Sequence, residues 1–296
     1  MIDFITVVFR PELFYLEIQA RSIEQYVDTD KIGTIFVVVN DAESVCSLVD
    51  TDWYGINKHK VKVIWAESFG CTDFLHGWAS QQYYKLATAS IANSEWSACL
   101  DAKTWFVRRL DFDLLFEQDG RVRLASFPTI PVFLPAEQAV NEFFGIDSKQ
   151  VIGPGGVPFL FNTEELHLLV EHLHNKKTNL FKYFTRAVQY PTSVTEFMFY
   201  SGWIAYRYGD HSKLYSDNQY YSVTNIADFQ SDDFDNKFLE MLTKQNLTAS
   251  IHRRVYPKLK GKQLKTWVDF LRSKNLLQTL DDDLVITELL NTANVE

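Results

Sequence analysis

The chain has 296 residues, 46% of them hydrophobic and 23% charged, with no internal repeat or low-complexity tract. This length and composition allow one large folded domain, or one with a small addition, and argue against extensive disorder. The net charge of -9 argues against broad binding of nucleic acid, and three scattered cysteines argue against a structural zinc site. The apolar run at the N-terminus is too short for a signal peptide, so we expect a soluble, cytoplasmic protein with no transmembrane segment.

The first hundred residues predict strands and helices in alternation. Helices are expected from Pro11 to about Val27 and from about residue 73 to 91. Runs of β-branched and aromatic residues predict buried strands at 4–10, 34–39, 61–65 and 96–100. Three strand–helix units in this span indicate a largely parallel sheet. Neither the Gly-x-Gly-x-x-Gly fingerprint nor the P-loop pattern is present.

The second half predicts a more mixed structure. Asn162 and Ser193 each open a capping box at the start of a helix. A short strand is expected at 121–125, and helices at 135–144, 162–174, 193–206, 235–244 and 262–273, followed by a frayed C-terminal piece. The composition turns acidic near residue 231. We therefore expect a main domain over residues 1–230 and a helical C-terminal extension over residues 231–296 packed on it.

A polar pair follows the fourth predicted strand. Asp101 and Lys103 lie two residues apart in Leu-Asp-Ala-Lys, so in an extended chain they project to the same side. Open α/β sheets bind ligands just outside the carboxyl ends of their strands. The pair predicts either a diphosphate site, with Asp101 as a metal ligand or ribose contact and Lys103 facing phosphate oxygens, or a plain ion pair at the rim of the sheet.

The stretch from residue 79 to 106 carries a resemblance to a known family. Its Gln-Gln-x-x-Lys-Leu, followed by a buried strand and Leu-Asp-Ala-Lys, resembles GT-A-type glycosyltransferases. It is closest to a poorly characterised bacterial and viral group of predicted ones with Leu-Asp-Ala-Lys or Leu-Asp-Ala-Asp. The resemblance covers about residues 3–210. It implies an α/β, GT-A-like (Rossmann-like) fold with a mixed, mainly parallel sheet flanked by helices. It also implies transfer of a hexosyl or related group from a nucleotide diphosphate sugar to an acceptor hydroxyl.

The resemblance implies a donor site at the strand ends. In GT-A enzymes a strand-end Asp-x-Asp holds Mn²⁺ or Mg²⁺ on the donor diphosphate, whereas Lys103 stands in the place of the second aspartate here. Either its ammonium replaces the divalent charge, or Asp101 holds a metal with help from elsewhere. The resemblance assigns contacts with the nucleotide sugar to Phe9, Arg10, Asp41, Gln82 and Lys85. The alternatives are a plain turn at Asp41 and an ordinary surface lysine at Lys85.

Three features later in the sequence are candidates for the same site. Glu196, in Glu-Phe-Met-Phe-Tyr, is a candidate general base for the acceptor hydroxyl, although a capping box alone would explain a glutamate there. The resemblance implies that His211, with Asp210 beside it, is the late histidine that many GT-A enzymes place on the metal or diphosphate, although a lone histidine usually has no such role. The Gly153–Gly156 loop would approach a sugar through its backbone, or is a plain surface turn.

A basic segment lies near the C-terminus. Eight lysines and arginines fall within residues 253–274, interleaved with Trp267, Phe270 and Leu271. It predicts either contact with a membrane surface or anionic partner, or an ordinary solvated helix.

The expected function is glycosyl transfer, with a nucleotide-sugar donor and a carbohydrate or other hydroxyl acceptor as partners. The alternative is a non-catalytic nucleotide-sugar-binding or scaffold protein on the same fold. A sugar nucleotidylyltransferase is a weaker alternative, because its glycine-rich start is missing.

Overall fold

The apolar runs of the sequence that predict buried strands do form strands. The computed structural model describes residues 1–70, 77–124, 129–146, 158–185, 194–218, 223–227, 232–244, 246–277 and 281–293. The strands of these segments are β1 (Ile2–Val8), β2 (Ile32–Val39), β3 (Val61–Trp65), β4 (Trp96–Asp101), β5 (Thr104–Phe106), β6 (Val122–Arg123), β7 (Phe159–Asn162), β8 (Tyr215–Ser216), β9 (Val223–Ile226) and β10 (Thr248–Ile251).

Helices cover the sheet and form much of the C-terminal part. They are α1 (Leu13–Tyr26), α2 (Gly77–Ala89), α3 (Phe112–Leu115), α4 (Leu134–Phe144), α5 (Thr163–Asn175), α6 (Leu180–Phe184), α7 (Glu196–Tyr208), α8 (Phe234–Thr243), α9 (Gly261–Ser273) and α10 (Asp282–Ala293). Among the described helices, none has the length and apolarity needed to cross a bilayer.

The central sheet has the order β3-β2-β1-β4-β7. Its first four strands are parallel and β7 is antiparallel to β4, which confirms the predicted mixed, mainly parallel sheet flanked by helices. Every residue of β1 is buried, as expected for a strand between two neighbours with helices on its faces. The carboxyl ends of β1, β2 and β4 therefore meet at one edge of the sheet.

A second, three-stranded sheet has the order β5-β10-β9. Its middle strand, β10, is antiparallel to β5 and parallel to β9. The sequence does not predict the four-residue strands β7, β9 and β10, because such short runs show no periodicity. The C-terminal region is helical as predicted and also contributes this strand. The predicted boundary at residue 230 lies outside the described residues and stays a prediction.

Several predicted element ends shift. The side chain of Thr195, not Ser193, caps α7 by accepting a hydrogen bond from the backbone N–H of Met198 at 3.0 Å, and Ser193 is outside the described residues. Asn162 does cap α5, accepting from the N–H of Glu165 at 3.1 Å. The C-terminal piece is a regular helix, α10, rather than a frayed end. The Gly153–Gly156 loop lies outside the described residues.

Helix α7 packs closely on α4 at Gly202. A Cβ atom at Gly202 would overlap the Val140 side chain and press on Phe144. We expect Gly202→Ala to lower the free energy of unfolding by about 1–3 kcal/mol in urea titrations, since overpacking strains a full core. Gly261→Ala is the control, because a Cβ there meets nothing within 4 Å. Equal effects of the two substitutions would contradict this packing argument.

Candidate active site

A cluster of two carboxylates and two ammonium groups lies at the carboxyl end of β4. Lys85, on the buried face of α2, places its Nζ 2.8 Å from Asp101 Oδ1 and 2.8 Å from Glu196 Oε1. Lys103 Nζ lies 2.9 Å from Asp101 Oδ2. Asp101 is the last residue of β4 and Glu196 the first of α7. The fold thus brings Lys85 and Glu196 to the pair of Asp101 and Lys103 that the sequence predicted.

Burial sets the electrostatics of this cluster. The side chain of Lys85 is 5% exposed and that of Glu196 1%, whereas Asp101 keeps 32%. Burial opposes the charge of Lys85, but Asp101 and Glu196 outweigh it and raise the pKa of Lys85 well above its usual range. Burial likewise opposes the charge of Asp101, but Lys103 and Lys85 hold its pKa well below its usual range. Lys85 is therefore charged and Asp101 ionised at neutral pH.

Two glutamines support the cluster from neighbouring helices. Gln82, one turn before Lys85, directs its amide nitrogen to the carboxylate of Glu196 when the amide is oriented by its hydrogen bonding. Gln19, buried on α1, donates from Nε2 to the backbone oxygens of Asp101 at 2.7 Å and Thr104 at 2.9 Å. These bonds fix the backbone turn that carries Lys103, and Asp101 holds its ammonium group.

A cavity of about 1000 Å³ opens above this cluster. Strand ends of the central sheet, the start of α7 and the second sheet all contribute to its wall. Of the nine residues singled out from the sequence, seven line it: Phe9, Asp41, Gln82, Lys85, Asp101, Lys103 and Glu196. A volume of this size is at the upper end of small-molecule sites.

Asp41 ties two strand ends together. Its carboxylate accepts hydrogen bonds from the backbone N–H of Arg10 at 3.0 Å and of Ala42 at 2.7 Å. Arg10 is exposed, and its side chain is not among the residues that line the cavity. Asp41 thus has the turn-forming role that the sequence allowed. It also lines the cavity, and its contact with a ligand stays a prediction.

His211 lies apart from the cavity. It follows the C-terminal end of α7, whereas Glu196 begins that helix, and 13 helical residues span about 20 Å. Its Nε2 is 3.3 Å from Asp217 Oδ1. Among the described residues, therefore, the fold does not bring His211 to Asp101.

Glu12 is a cavity residue that the sequence analysis missed. It ends the short 3-10 helix Arg10–Glu12 after β1, where its backbone N–H donates to the carbonyl of Phe9 at 2.8 Å, and it is half-buried on the cavity wall. Burial raises its pKa to about 7, with Lys103 lowering and Asp101 raising it. The rule that ligands bind at the carboxyl ends of parallel strands predicted Asp101, and it would also have predicted Glu12, which follows β1.

Arg253 was assigned from the sequence to the basic segment, but it lines the cavity. Its guanidinium lies 5.4 Å from the ring centre of Phe9, and its Nη1 is buried without a hydrogen-bond partner among the described residues. Farther along the segment, Lys265 and Arg272 pair with Asp282. The segment is therefore divided between the cavity and ion pairs within the C-terminal region.

The donor set does not fit a divalent metal at Asp101. Both of its carboxylate oxygens accept from ammonium groups, and Mg²⁺ and Mn²⁺ prefer several oxygen ligands. Within the part of the chain that the structure describes, no three side chains of the ligating types converge.

Comparisons with solved structures agree on the fold. An active-site mutant of LgtC aligns over 95% of this chain and 98% of its own at 14% identity and a TM-score of 0.53. The bifunctional glycosyltransferase WbbM aligns over 97% of this chain and 51% of its own at 13% identity and a TM-score of 0.53. This likeness concerns the fold, which is that of GT-A glycosyltransferases.

Comparison of the sequence with protein-family models identifies a family. The model of a family of unknown function, DUF6492, matches residues 10–241. No curated protein matches the chain.

Proposed function

The chain belongs to this family of unknown function, whose description assigns no reaction, and we propose that the protein transfers a sugar from a nucleotide diphosphate sugar to an acceptor hydroxyl. The observation that carries the proposal is the cluster of Lys85, Asp101 and Lys103 inside a cavity of about 1000 Å³, at the strand ends of a GT-A fold. Ligands of open α/β sheets bind at such ends. The narrower resemblance to the Leu-Asp-Ala-Lys group stays a prediction.

The cations of this site would stabilise the negative charge of a departing diphosphate. Lys103 and Arg253 both line the cavity, and each is held in place, Lys103 by Asp101 and Arg253 over the ring of Phe9. Fixed cations placed where negative charge develops lower the barrier without reorganising at the moment of reaction. In this proposal Lys85 acts mainly inside the cluster, because its ammonium is shared between Asp101 and Glu196.

A carboxylate that takes the proton of the acceptor hydroxyl must be accessible from the cavity. Glu196 is 1% exposed and bound by Lys85, so we assign it the role of positioning Lys85. Glu12 faces the cavity, and a pKa of about 7 suits a general base at neutral pH. In a single displacement, the acceptor oxygen bonds to the anomeric carbon as the bond to the diphosphate oxygen breaks. The diphosphate keeps the electron pair, and Glu12 takes the proton.

Donor binding tests the proposal. In a thermal-shift panel of UDP-, GDP- and dTDP-linked sugars, with a CMP-linked sugar as the monophosphate comparison, we expect one diphosphate sugar to stabilise the protein. At 100 times its dissociation constant the gain is about 2.7 kcal/mol. Asp101→Ala should abolish the shift, because the two lysines lose the group that orients them. Asp52→Ala, at an exposed ion pair with Lys58, should leave it unchanged.

The non-catalytic alternative gives a different result. A scaffold or binding protein on this fold would show the donor shift but neither slow hydrolysis of the donor nor transfer to any acceptor. Absence of a shift with every nucleotide sugar would contradict both the transferase and the binding protein.

A further inference from the structure

The two carboxylate oxygens of Asp101 are already occupied by cations. Lys85 Nζ is 2.8 Å from Oδ1, and Lys103 Nζ is 2.9 Å from Oδ2. A divalent ion on this carboxylate would have to displace an ammonium group and would then face the other at close range, where like charges repel strongly. Lys85 cannot swing away freely, because it is buried and also holds Glu196. Two ammonium groups thus occupy the carboxylate oxygens that a metal ion would need.

A second cation, Arg253, lies on the cavity wall over the ring of Phe9. Arg253 Nη1 is buried with no hydrogen-bond acceptor among the described residues, although the residue lines the cavity. A buried donor without an acceptor is costly, so the site gains when a ligand supplies one. The planar fork of a guanidinium matches two phosphate oxygens. Arg253 follows β10 and Lys103 precedes β5, and these two strands pair in the second sheet, so both cations approach the cavity from the same sheet.

We propose that this site binds the diphosphate of its donor without a divalent metal, and that Lys103 and Arg253 supply the charge that the ion would provide. The inference rests on the proposed function, since it specifies how the same cavity holds a nucleoside diphosphate. Asp101 then serves as the anchor of Lys103 rather than as a metal ligand.

Calorimetric binding of UDP, GDP and dTDP in EDTA and in Mn²⁺ tests this inference. For the unmodified protein we expect affinity for the preferred nucleotide to change by less than about twofold between the two conditions. Arg253→Met should weaken binding by about tenfold or more in both, because a charge-assisted hydrogen-bond donor is lost. Binding by the unmodified protein that is about tenfold or more tighter in Mn²⁺ than in EDTA would overturn the proposal.

Substitutions at residue 103 make the test sharper. Lys103→Asp restores a second carboxylate two residues from Asp101, so we expect it to lose about tenfold in affinity in EDTA and to regain most of it in Mn²⁺. Lys103→Met is the matched control and should lose affinity in both conditions without rescue. Electron paramagnetic resonance of Mn²⁺ without nucleotide should report bound metal for Lys103→Asp and free metal for the unmodified protein. Full affinity of Lys103→Asp in EDTA, or bound Mn²⁺ in the unmodified protein, would contradict the inference.

Circular dichroism and the melting temperature confirm that each variant folds before its affinity is read. The outcomes also separate this inference from the proposed function. If no nucleoside diphosphate binds under either condition, the proposed function fails and this inference fails with it. If a nucleotide binds only with Mn²⁺, the donor assignment stands and the metal-free site alone is wrong.

Discussion

Replacement of Lys85 by methionine is expected to lower the free energy of unfolding by about 3–5 kcal/mol, as removal of one partner from a buried ion pair does. Methionine keeps the length of the side chain, so the loss reports charge rather than volume. Glu196, 1% exposed, would be left with the Gln82 amide as its polar neighbour, whereas Asp101 would keep Lys103. Urea unfolding at pH 7, followed by circular dichroism, measures the change.

A matched control and a double variant separate charge from general damage. Lys213→Met replaces an exposed lysine and should change stability by less than about 0.5 kcal/mol. Lys85→Met combined with Glu196→Gln should recover about 1 kcal/mol or more, because no uncompensated carboxylate remains. If Lys85→Met costs under about 1 kcal/mol, or if the double variant is as unstable as the sum of the single ones, the cluster does not have the energetics described.

Substitution of Glu12 by glutamine is expected to lower kcat by about 10²–10⁴-fold with the donor identified by binding, since that is the usual contribution of a general base. The unmodified protein should gain activity as pH rises through about 7, where the Glu12 carboxyl loses its proton. Glu12→Gln should lose this limb of the pH profile while keeping donor affinity. Glu43→Gln, at an exposed carboxylate, is the control. An unchanged profile in Glu12→Gln would assign the proton to another group.

Stability offers a readout of Glu12 that does not depend on activity. Its pKa is about 7 in the folded chain and 4.5 for an ordinary glutamate, so between these values the native state holds a proton that the unfolded chain has released. Stability must therefore fall as pH rises through this window and level off above it. We expect the difference between the unmodified protein and Glu12→Gln to change by roughly 1–3 kcal/mol from pH 5 to pH 8.

The four parallel strands of the central sheet were predictable, because they are apolar runs of five or more residues separated by helices. The run of residues 34–39 could hardly be anything but a buried strand, and Asp101 stands where such a strand ends. The strand end predicted Asp101 and Lys103 as site residues, the resemblance predicted Asp41, and all three line the cavity. Helical spacing predicted that Gln82 and Lys85 share a face of α2, and the resemblance predicted that this face is part of the site.

The rest of the site depends on contacts between residues far apart in the sequence. Nothing near Glu196 in the sequence indicates that Lys85, 111 residues earlier, neutralises it. Arg253 looked like one charge in a basic helix, because the four-residue strand that carries it to the cavity has no periodicity of its own. The pKa of Glu12 likewise follows from burial, which no local pattern reports.

The pairing of β10 with β5 has a consequence for how the protein is made. Ser250 pairs with Thr104, three residues after Asp101 in the chain. A ribosome adds about 5–20 residues per second, so β10 leaves it several seconds or more after β5. Until then the nascent chain contains Asp101 and Lys103 but not the part of the cavity wall that includes Arg253. The edge of β5 that pairs with β10 is also unpaired during this time. The proposed site is therefore complete only near the end of synthesis.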